Sequence, residues 1–380
     1  MNNIKYLEKE IISYLKVDKI YFFWKGRVAL YALLKAMGVG KGDEVILPAF
    51  TCIVVPNVII YLEAKPVYVD IFEGTYNINT EQVENKITEK TKVIICQNTF
   101  GYSSGLNKLN KIAKKHKLYT IEDCAHGFGG TFNGAPNGTN CDAAFFSTQW
   151  NKPFSTGIGG FAITKHDVIA EKMELLNDKL LEPTFFDLAN LKVLYFIKRY
   201  FVNDYSYWVL VSIYRYLSDK GIILGSSNDD ELTSVNFPKR FFRNFSNVQA
   251  KEGIRNIKQL DKVLLERRYS SEKYSSLLKS NGKIYVKDEN NLNHSFLKYP
   301  ILVKDKIIFM KNAEKSNISL GDWFLSPLHP YQGDFSNWYF QPEKYPAAKY
   351  ISEHIVNLPT NPSNLDKVLT FIKNNLSLIK

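Results

Sequence analysis

Residues 117–130, KLYTIEDCAHGFGG, join a short apolar run to a set of polar side chains. The run at 119–121 is typical of a strand in a sheet that is covered on both faces. Glu122, Asp123 and His126 follow it. Ligands of open α/β sheets bind beyond the carboxyl ends of the strands, so this stretch predicts a buried strand that ends at a functional edge.

Comparable apolar runs recur on both sides of this stretch, each bounded by Gly, Pro, Asp or Lys. They lie at residues 45–47, 66–69, 93–96, 143–146 and 160–163. Residues 26–37 and 106–117 carry apolar residues at helical spacing, and two glycines follow the first of these segments. The alternation predicts an α/β fold with a mostly parallel sheet of about seven strands.

The second half of the chain has a different pattern, which becomes helical and aromatic from about residue 172. Residues 246–278 predict one long helix, because their apolar residues share one stripe. Short strands and helices alternate after it, as in a small α+β domain. We therefore expect a large domain over residues 1–240, with an aromatic helical insert at about 176–232, and a small domain over 241–380.

Composition limits the possible partners. The 380 residues are 45% hydrophobic, which excludes disorder, and the net charge of +11 favours an anionic partner: nucleic acid, a membrane surface or a phosphorylated small molecule. The basic residues are scattered, with no more than two adjacent, so a nucleic-acid partner is not expected. The four cysteines form no CxxC pair, and the N-terminal stretch lacks the apolar segment of a signal peptide. A cytoplasmic protein is the expectation.

Two segments imitate membrane-active sequences. Residues 45–62 carry no charge but contain two prolines and an asparagine, so we expect a buried strand, a turn and a helix or loop. In the aromatic stretch 195–217, the longest uncharged run lies between Asp204 and Arg215 and is too short to span a bilayer. A packing or oligomer helix is favoured there over interfacial attachment through Trp208, and membrane association is not expected.

The residues after strand 119–121 allow several chemistries when taken alone. Asp123 and His126 fit an acid/base pair, a metal site, a carboxylate that keeps a ring nitrogen protonated, or a helix cap beside a packed histidine. A metal site would need more His or Cys nearby, so no metal is predicted.

A second polar cluster, residues 147–152 with the sequence STQWNK, leads into the glycine-rich turn 157–160. Lys152 is either a solvated charge or a desolvated amine that forms a Schiff base with a carbonyl. A third cluster is the helix start at Gly26, where backbone N–H groups favour a phosphate, although an ordinary helix cap explains it better when it is taken alone.

The order and spacing of these clusters resemble the fold-type I pyridoxal-phosphate enzymes, specifically the DegT/DnrJ/EryC1/StrS family of sugar aminotransferases. Residues 121–130, IEDCAHGFGG, resemble the family's EDxA(Q/H) motif, and residues 145–160, FFSTQWNKPFSTGIGG, resemble its SFxxxKxxxxGxGG motif. Further similar blocks lie at residues 26–52, 65–71, 92–101, 246–268 and 355–362. The resemblance extends from about residue 24 to about residue 375.

The resemblance implies a fold-type I transferase that uses pyridoxal 5'-phosphate. Lys152 would form the Schiff base and move protons, and Asp123 would pair with the pyridine nitrogen. His126 would contact the ring region of the cofactor. The phosphate would be bound by Arg27, Val28 and Ser147, mostly through backbone N–H groups and a hydroxyl.

The function implied is the transfer of an amino group from glutamate to a keto sugar carried by a nucleotide, in surface polysaccharide or related sugar biosynthesis. The resemblance also implies a homodimer with shared active sites. A sugar dehydratase is the alternative, which Lys152 disfavours because dehydrating relatives carry His there. A non-catalytic, membrane-associated relative is the other alternative, and the retained cofactor residues argue against it. Trp323 and His329 are candidates for the substrate site or for structural roles.

One departure from the family pattern concerns the cofactor ring. Many relatives carry an aromatic residue after the PxxT block that stacks on the ring, whereas this chain has Cys52 after Thr51. We therefore expect another side chain, His126 or Phe50, to provide the stacking contact.

A second departure concerns the phosphate site. Relatives place an Asn from the neighbouring subunit there, but residues 240–247, RFFRNFSN, put Phe242 at that position. Asn244 or Arg243 would serve only after a local shift. The aromatic insert is the third departure, because no family motif corresponds to it.

Overall fold

The fold is described from a computed structural model that covers residues 2–202, 206–219, 223, 235, 237, 239–287 and 294–380. Its centre is a seven-stranded sheet, accompanied by three two-stranded sheets. The strands are β1 (Tyr21–Phe23), β2 (Glu44–Pro48), β3 (Thr51–Cys52), β4 (Lys65–Val69), β5 (Thr91–Gln97), β6 (Tyr119–Asp123), β7 (Thr131–Phe132), β8 (Ala135–Pro136), β9 (Ala143–Ser147), β10 (Gly160–Thr164), β11 (Tyr299–Leu302), β12 (Leu328–His329) and β13 (Ile355–Leu358).

The central sheet has the order β1-β10-β9-β6-β5-β2-β4. Strand β10 runs antiparallel to both of its neighbours, and the pairs from β9 to β4 are parallel. The predicted α/β fold with a mostly parallel sheet is confirmed. Strand β1, which the sequence analysis did not identify, completes one edge.

Helices surround the sheet. They are α1 (Asn3–Leu15), α2 (Gly26–Ala36), α3 (Val54–Tyr61), α4 (Thr80–Val83), α5 (Leu106–His116), α6 (Asp167–Asn177), α7 (Phe185–Tyr200), α8 (Tyr207–Asp219), α9 (Asn247–Ile257), α10 (Leu260–Ser280), α11 (Lys306–Lys315), α12 (Pro346–His354) and α13 (Leu365–Asn374). Residues 45–62 form β2, β3 and α3, as expected from their prolines. Among the described residues, no helix has the length and apolar character needed to cross a membrane.

The apolar strands are buried on both faces, which explains why they show no alternation of apolar and polar residues. Along β5, Val93 and Ile95 join the apolar core that contains α2 and α3, whereas Ile94 and Cys96 join the core that contains α5. A strand buried in this way leaves its polar residues at its ends. The fold thereby places the functional side chains at the carboxyl edge of the sheet.

The long helix predicted over residues 246–278 is wrong. The segment forms two helices, α9 and α10, with a turn in which the Gln259 amide donates to the Asn256 carbonyl 3.2 Å away. Ala250 in α9 and Leu260 in α10 both reach the core that contains α1, so the apolar stripe continues through the bend. The segment also has no Gly or Pro at the turn, and the pattern therefore did not reveal the break.

The division into domains at residue 240 stays a prediction. A separate apolar core begins with Tyr274 and Leu278 near the end of α10 and extends through β11 and β13 to Ile379. Helix α9 belongs instead to the core that contains α1. We propose that the smaller domain is centred on the core that begins at Tyr274.

The aromatic insert is helical where it is described, in α7 and α8. Residues 203–205, 220–222 and 224–232 of the predicted insert lie outside the described residues, as does the side chain of Trp208.

Candidate active site

Two parallel strands bring the predicted acidic residue and the predicted phosphate-binding hydroxyl to the same edge. In the pairing of β6 with β9, Asp123 lies opposite Phe145, two residues before Ser147. Both strands end here, and the loop after β9 carries Lys152. Residues 123, 147 and 152 thus lie near one another, because β6 and β9 are neighbouring strands of the sheet.

The start of α2 packs directly against this edge. A Cβ atom built on Gly26 would lie 2.9 Å from the Cα of Ser147, and one built on Gly160 would lie 2.3 Å from the Cα of Gly26. Only glycine permits such an approach. The N-cap residue Lys25 makes no side-chain capping hydrogen bond. This first turn, which includes Arg27, is suited to binding an anion through its backbone N–H groups.

The Lys152 amine has the properties of a nucleophile. Burial lowers its pKa from 10.5 to about 8, and the negative charge of Asp123 partly offsets this effect. Its Nζ lies 4.6 Å from the ring centroid of Trp323. A larger fraction of this amine is neutral near pH 7 than for an exposed lysine, which favours attack on a carbonyl.

The Asp123 carboxylate is buried near Lys152. Burial raises its pKa to about 6, while the hydrogen bond from the Ala125 amide to Oδ1, 2.9 Å long, and the charge of Lys152 act in the opposite direction. At pH 7 the group is mainly ionised. A buried carboxylate of this kind gains stability from a cationic partner such as a protonated ring nitrogen.

The Glu122 carboxylate forms hydrogen bonds to other segments of the chain. Its carboxylate accepts hydrogen bonds from the Asn98 side chain at 2.9 Å and from the Asn140 amide at 3.3 Å. Burial raises its pKa. Successive residues of a strand point to opposite faces, so Glu122 ties β6 to its surroundings and leaves Asp123 as the carboxylate near Lys152.

The imidazole ring of His126 lies within range of the Lys152 charge and stacks against other rings. The Phe100 amide donates to its Nδ1 at 3.2 Å, and burial keeps its pKa well below the ordinary value, so the ring is neutral. It stacks on the Trp323 indole with the centroids 4.9 Å apart and the planes at 17°. The alternative stacking residue, Phe50, is fully buried against Phe324. The geometry therefore favours His126 for contact with a flat ring.

Cys52, Trp323 and His329 also lie at this site. Strand β3 pairs with β12 so that Cys52 lies opposite His329, and the rings of His329 and Trp323 are 6.1 Å apart. Lys298, whose Nζ is 5.6 Å from the Trp323 centroid, is a site residue that the sequence analysis missed. It belongs to no motif, and only the folded chain brings it near Lys152.

The residues considered for the neighbouring subunit's phosphate site have other contacts within their own chain. Asn244 donates to Glu182 Oε1 at 2.6 Å, and Arg243 forms an ion pair with Asp187. Phe242 packs edge-on against Tyr31. The role of Asn244 therefore stays a prediction about an assembly.

A contact that the sequence did not predict joins the insert to the lysine loop. The Tyr195 hydroxyl of α7 donates to the Thr156 carbonyl at 2.7 Å, and Lys198 Nζ donates to the Trp150 carbonyl at 3.3 Å. These carbonyls lie on either side of Lys152 in the chain. Helix α7 thus holds the loop that carries the reactive amine.

Together these residues fit pyridoxal phosphate. Such a cofactor needs an amine, a carboxylate for its ring nitrogen, a flat group beside its ring and an anion site for its phosphate. Lys152, Asp123 and His126 correspond to the first three, and Ser147 with the first turn of α2 corresponds to the fourth.

Comparisons with known proteins agree with this chemistry. A model of the DegT/DnrJ/EryC1/StrS aminotransferase family matches residues 2–184 and 225–374. The unmatched segment between them contains α7 and α8. The extra segment is thus a feature of this chain beyond the family pattern.

Three individual relatives show how similar the chain is to known proteins. GDP-perosamine synthase from Vibrio cholerae is 25% identical, over 98% of this chain and 90% of that enzyme. L-glutamine:2-deoxy-scyllo-inosose aminotransferase from Streptomyces kanamyceticus is 38% identical, over 40% of this chain and 35% of that enzyme. The solved structure of the putative sugar aminotransferase Spr1654 from Streptococcus pneumoniae, in its PMP form, superposes with a TM-score of 0.76 at 22% identity, over 98% of this chain and 91% of that one. This last likeness shows the fold.

Proposed function

Because the chain belongs to the DegT/DnrJ/EryC1/StrS aminotransferase family, we propose that it is a pyridoxal-phosphate-dependent aminotransferase that acts on a keto sugar carried by a nucleotide. The observation that carries the proposal is the meeting of Asp123, Ser147 and Lys152 at one edge of the sheet, beside the start of α2. Names of relatives such as GDP-perosamine synthase support a sugar substrate.

Each of these residues has a definite task in such a reaction. The bound cofactor supplies an electron sink for the carbanion formed at the substrate carbon. We assign to Asp123 the task of holding a proton at the pyridine nitrogen, since its buried carboxylate favours a cationic partner. Lys152 takes up and returns the proton at the substrate carbon, because its amine is neutral in a usable fraction near pH 7.

The remaining residues position the cofactor. Ser147 and the first turn of α2, with Arg27 and Val28, would hold the phosphate of the cofactor. The neutral imidazole of His126 would contact the ring region of the cofactor without adding charge to it. These contacts would orient the cofactor so that the Lys152 amine reaches the reacting carbon.

We propose glutamate as the amino donor. Glutamine is the alternative donor to compare with glutamate, because the name of the relative from Streptomyces kanamyceticus gives glutamine as its donor. The enzyme is expected to work in the cytoplasm, in surface polysaccharide or related sugar biosynthesis.

We also propose a homodimer in which each subunit completes the other's phosphate site, with Asn244 as the contributed residue. Asn244 bonds to Glu182 within its own chain. Light scattering after size-exclusion chromatography tests the assembly, and Asn244→Ala should weaken cofactor binding in the dimer. A monomer with full cofactor affinity would contradict this part of the proposal.

The central test is spectroscopic. Protein reconstituted with pyridoxal phosphate should show the absorption band of a cofactor bound through a lysine, and borohydride should fix the cofactor to Lys152 in a peptide map. Lys262, an exposed lysine of α10, is the internal control and should remain unlabelled. A colourless protein that takes up no cofactor would overturn the proposal.

The reaction is tested by incubating the holoenzyme with keto nucleotide sugars and either glutamate or glutamine, with products identified by mass. An amino sugar is the expected product. A deoxy sugar formed without loss of nitrogen from the donor would indicate dehydration instead.

A further inference from the structure

Arg267 in α10 has a buried charge without a visible partner. Its Nε and Nη1 atoms are buried and have no hydrogen-bond partner among the described residues. Burial lowers the pKa of its guanidinium to about 10. Leaving such donors unpaired costs free energy, so a buried unpaired guanidinium suggests a ligand.

The next residue shows the contrast. Arg268 donates to the Gly129 carbonyl at 3.1 Å and to the His294 carbonyl at 3.3 Å, so it joins two segments of the chain. Arg268 therefore has a structural role that its contacts explain. Arg267 has no comparable contacts, although it lies in the same turn of the same helix.

Arg267 and Lys298 are cations within electrostatic range of each other, and Lys298 lies near the reactive lysine. Lys298 lies close enough that the Arg267 charge lowers its pKa, after the larger effect of burial. The Lys298 amine is 5.6 Å from the Trp323 ring centroid, and the Lys152 amine is 4.6 Å from the same centroid. One indole ring thus borders both the reactive amine and Lys298, the nearer of these two cations.

The neighbouring acidic group does not balance this charge. Asp322 attracts Lys298, but it also attracts Lys306, whose Nζ donates to the carbonyls of Phe324 and Ser352 at 3.0 Å each. One carboxylate therefore faces two lysines. Among the groups whose charges shift the pKa values of Lys298 and Lys306, Asp322 is the acidic one, and Arg267 adds a positive charge.

We propose that Arg267 and Lys298 form the subsite that binds the carboxylate of the amino donor. The planar guanidinium fork suits a carboxylate, and Lys298 adds a second charge. The cofactor phosphate has its own site at the start of α2, beside Ser147. The inference rests on the proposed function, because it assigns a substrate group to that same site.

The position of the subsite favours the donor over the nucleotide sugar. In an α-amino acid, two bonds separate the amine nitrogen from the carbon of the α-carboxylate, and one indole ring borders both Lys152 and Lys298. In a nucleotide sugar, the sugar ring and the anomeric oxygen lie between the reacting carbon and the diphosphate. The diphosphate therefore belongs farther from Lys152.

Three variants test the subsite: Arg267→Gln, Lys298→Gln and, as matched control, Arg255→Gln, which replaces an exposed arginine of α9. Stopped-flow absorbance should follow the two half-reactions separately. In Arg267→Gln, the KM for glutamate should rise at least about tenfold, with the second half-reaction on the keto nucleotide sugar unchanged. Arg267→Lys should restore part of the affinity, because it keeps the charge but loses the fork.

A binding measurement removes the dependence on turnover. Glutarate, which has two carboxylates and no amine, should bind the wild-type protein and the Arg255→Gln control in a calorimetric titration, and should bind Arg267→Gln at least about tenfold more weakly. Thermal unfolding gives a further separation. Removing an unpaired buried charge should leave the melting temperature equal or higher, whereas loss of a structural arginine would lower it.

The outcomes distinguish the two proposals. Unchanged donor KM and glutarate affinity in Arg267→Gln, in a holoenzyme that transaminates, would overturn the subsite alone. A defect confined to the nucleotide-sugar half-reaction would also overturn it and assign the cations to the diphosphate. A wild-type protein without cofactor uptake would overturn the proposed function, while glutarate binding would still report on Arg267.

Discussion

Two regions hold the loop that carries Lys152, and they do so by different means. At the carboxyl edge of the sheet, Asp123 and Ser147 are placed by the register of β6 and β9, and Gly26 allows α2 to pack against them. On the other side, α7 of the insert holds the loop through side-chain hydrogen bonds such as that of Tyr195. The backbone of the sheet therefore positions the chemical groups, whereas α7 of the insert fixes the conformation of the loop that carries Lys152.

The comparison predicts the largest effects at the edge of the sheet. Lys152→Ala should reduce single-turnover transamination by about 10³-fold or more, because it removes the group that forms the bond and moves the proton. Burial lowers the pKa of Lys152 to about 8 in the folded state, which means that the protonated form of the amine destabilises the folded protein at pH 7. The variant should therefore be at least as stable as the wild type at pH 7.

Rapid-quench kinetics and thermal unfolding check both parts of this prediction. Retained turnover would show that the amine of another lysine does the work. A lower melting temperature would show that Lys152 stabilises the loop, and the distinction between the two regions would weaken.

Asp123→Asn should have the next largest effect, about 10²-fold on turnover, because a neutral amide does not hold the ring nitrogen protonated. The pH dependence adds a signature. Since burial raises the pKa of Asp123 to about 6, the wild-type carboxylate becomes protonated as the pH falls below that value, and cofactor affinity should fall with it.

Equilibrium dialysis of pyridoxal phosphate between pH 5 and 8 measures this dependence in both proteins. The wild type should lose affinity below about pH 6 relative to the Asn variant, in which this ionisation is absent. Parallel pH profiles for the two proteins would contradict the role of Asp123.

The sequence predicted the first region well because its signals are local. An apolar run followed by polar residues indicated β6 with Asp123 at its end. The polar residues after the run 143–146 indicated the end of β9, where Ser147 lies, and the loop that carries Lys152. The bend near Gln259 was missed because the apolar stripe continues through it. Lys298 was missed because it lies in no motif. Arg267 was missed because the block 246–268 that contains it resembled the start of a domain and indicated no role in the site, and only the folded chain brings the two residues near each other.

The second region was harder to predict for a physical reason. The aromatic composition of α7 indicated that the helix packs against another part of the protein, but not against which part. The apolar face of a helix can pack against any apolar surface of matching shape. Leu191 and Tyr195 pack with Trp24 in a small apolar cluster that involves segments far apart in the chain. No local pattern encodes such a contact.

A third prediction tests whether the insert positions the loop. Tyr195→Phe removes the hydrogen bond to the Thr156 carbonyl and should lower the free energy of unfolding by about 0.5–1.5 kcal/mol. Turnover should fall a few-fold, because the Thr156 amide bonds to the Thr148 carbonyl and so closes the loop around Lys152. Tyr200→Phe, in the same helix with an exposed side chain, is the control and should change neither.

Denaturant unfolding and steady-state kinetics on both tyrosine variants separate the possibilities. Equal behaviour of Tyr195→Phe and Tyr200→Phe would mean that α7 covers the loop without positioning it.

The smallest effect is expected on the outer face of α7. Phe186 is 78% exposed, and Phe185 beside it is 80% exposed, so Phe186→Ser removes little buried surface. The change in the free energy of unfolding should stay within about 0.5 kcal/mol, and turnover should be unchanged. Denaturant unfolding measures the stability of this variant, kinetics measures its turnover, and light scattering measures its oligomeric state. A loss of turnover or a change in oligomeric state would show that another protein surface covers this face of α7 in solution. One face of the insert would then form an interface, while the other face holds the loop that carries Lys152.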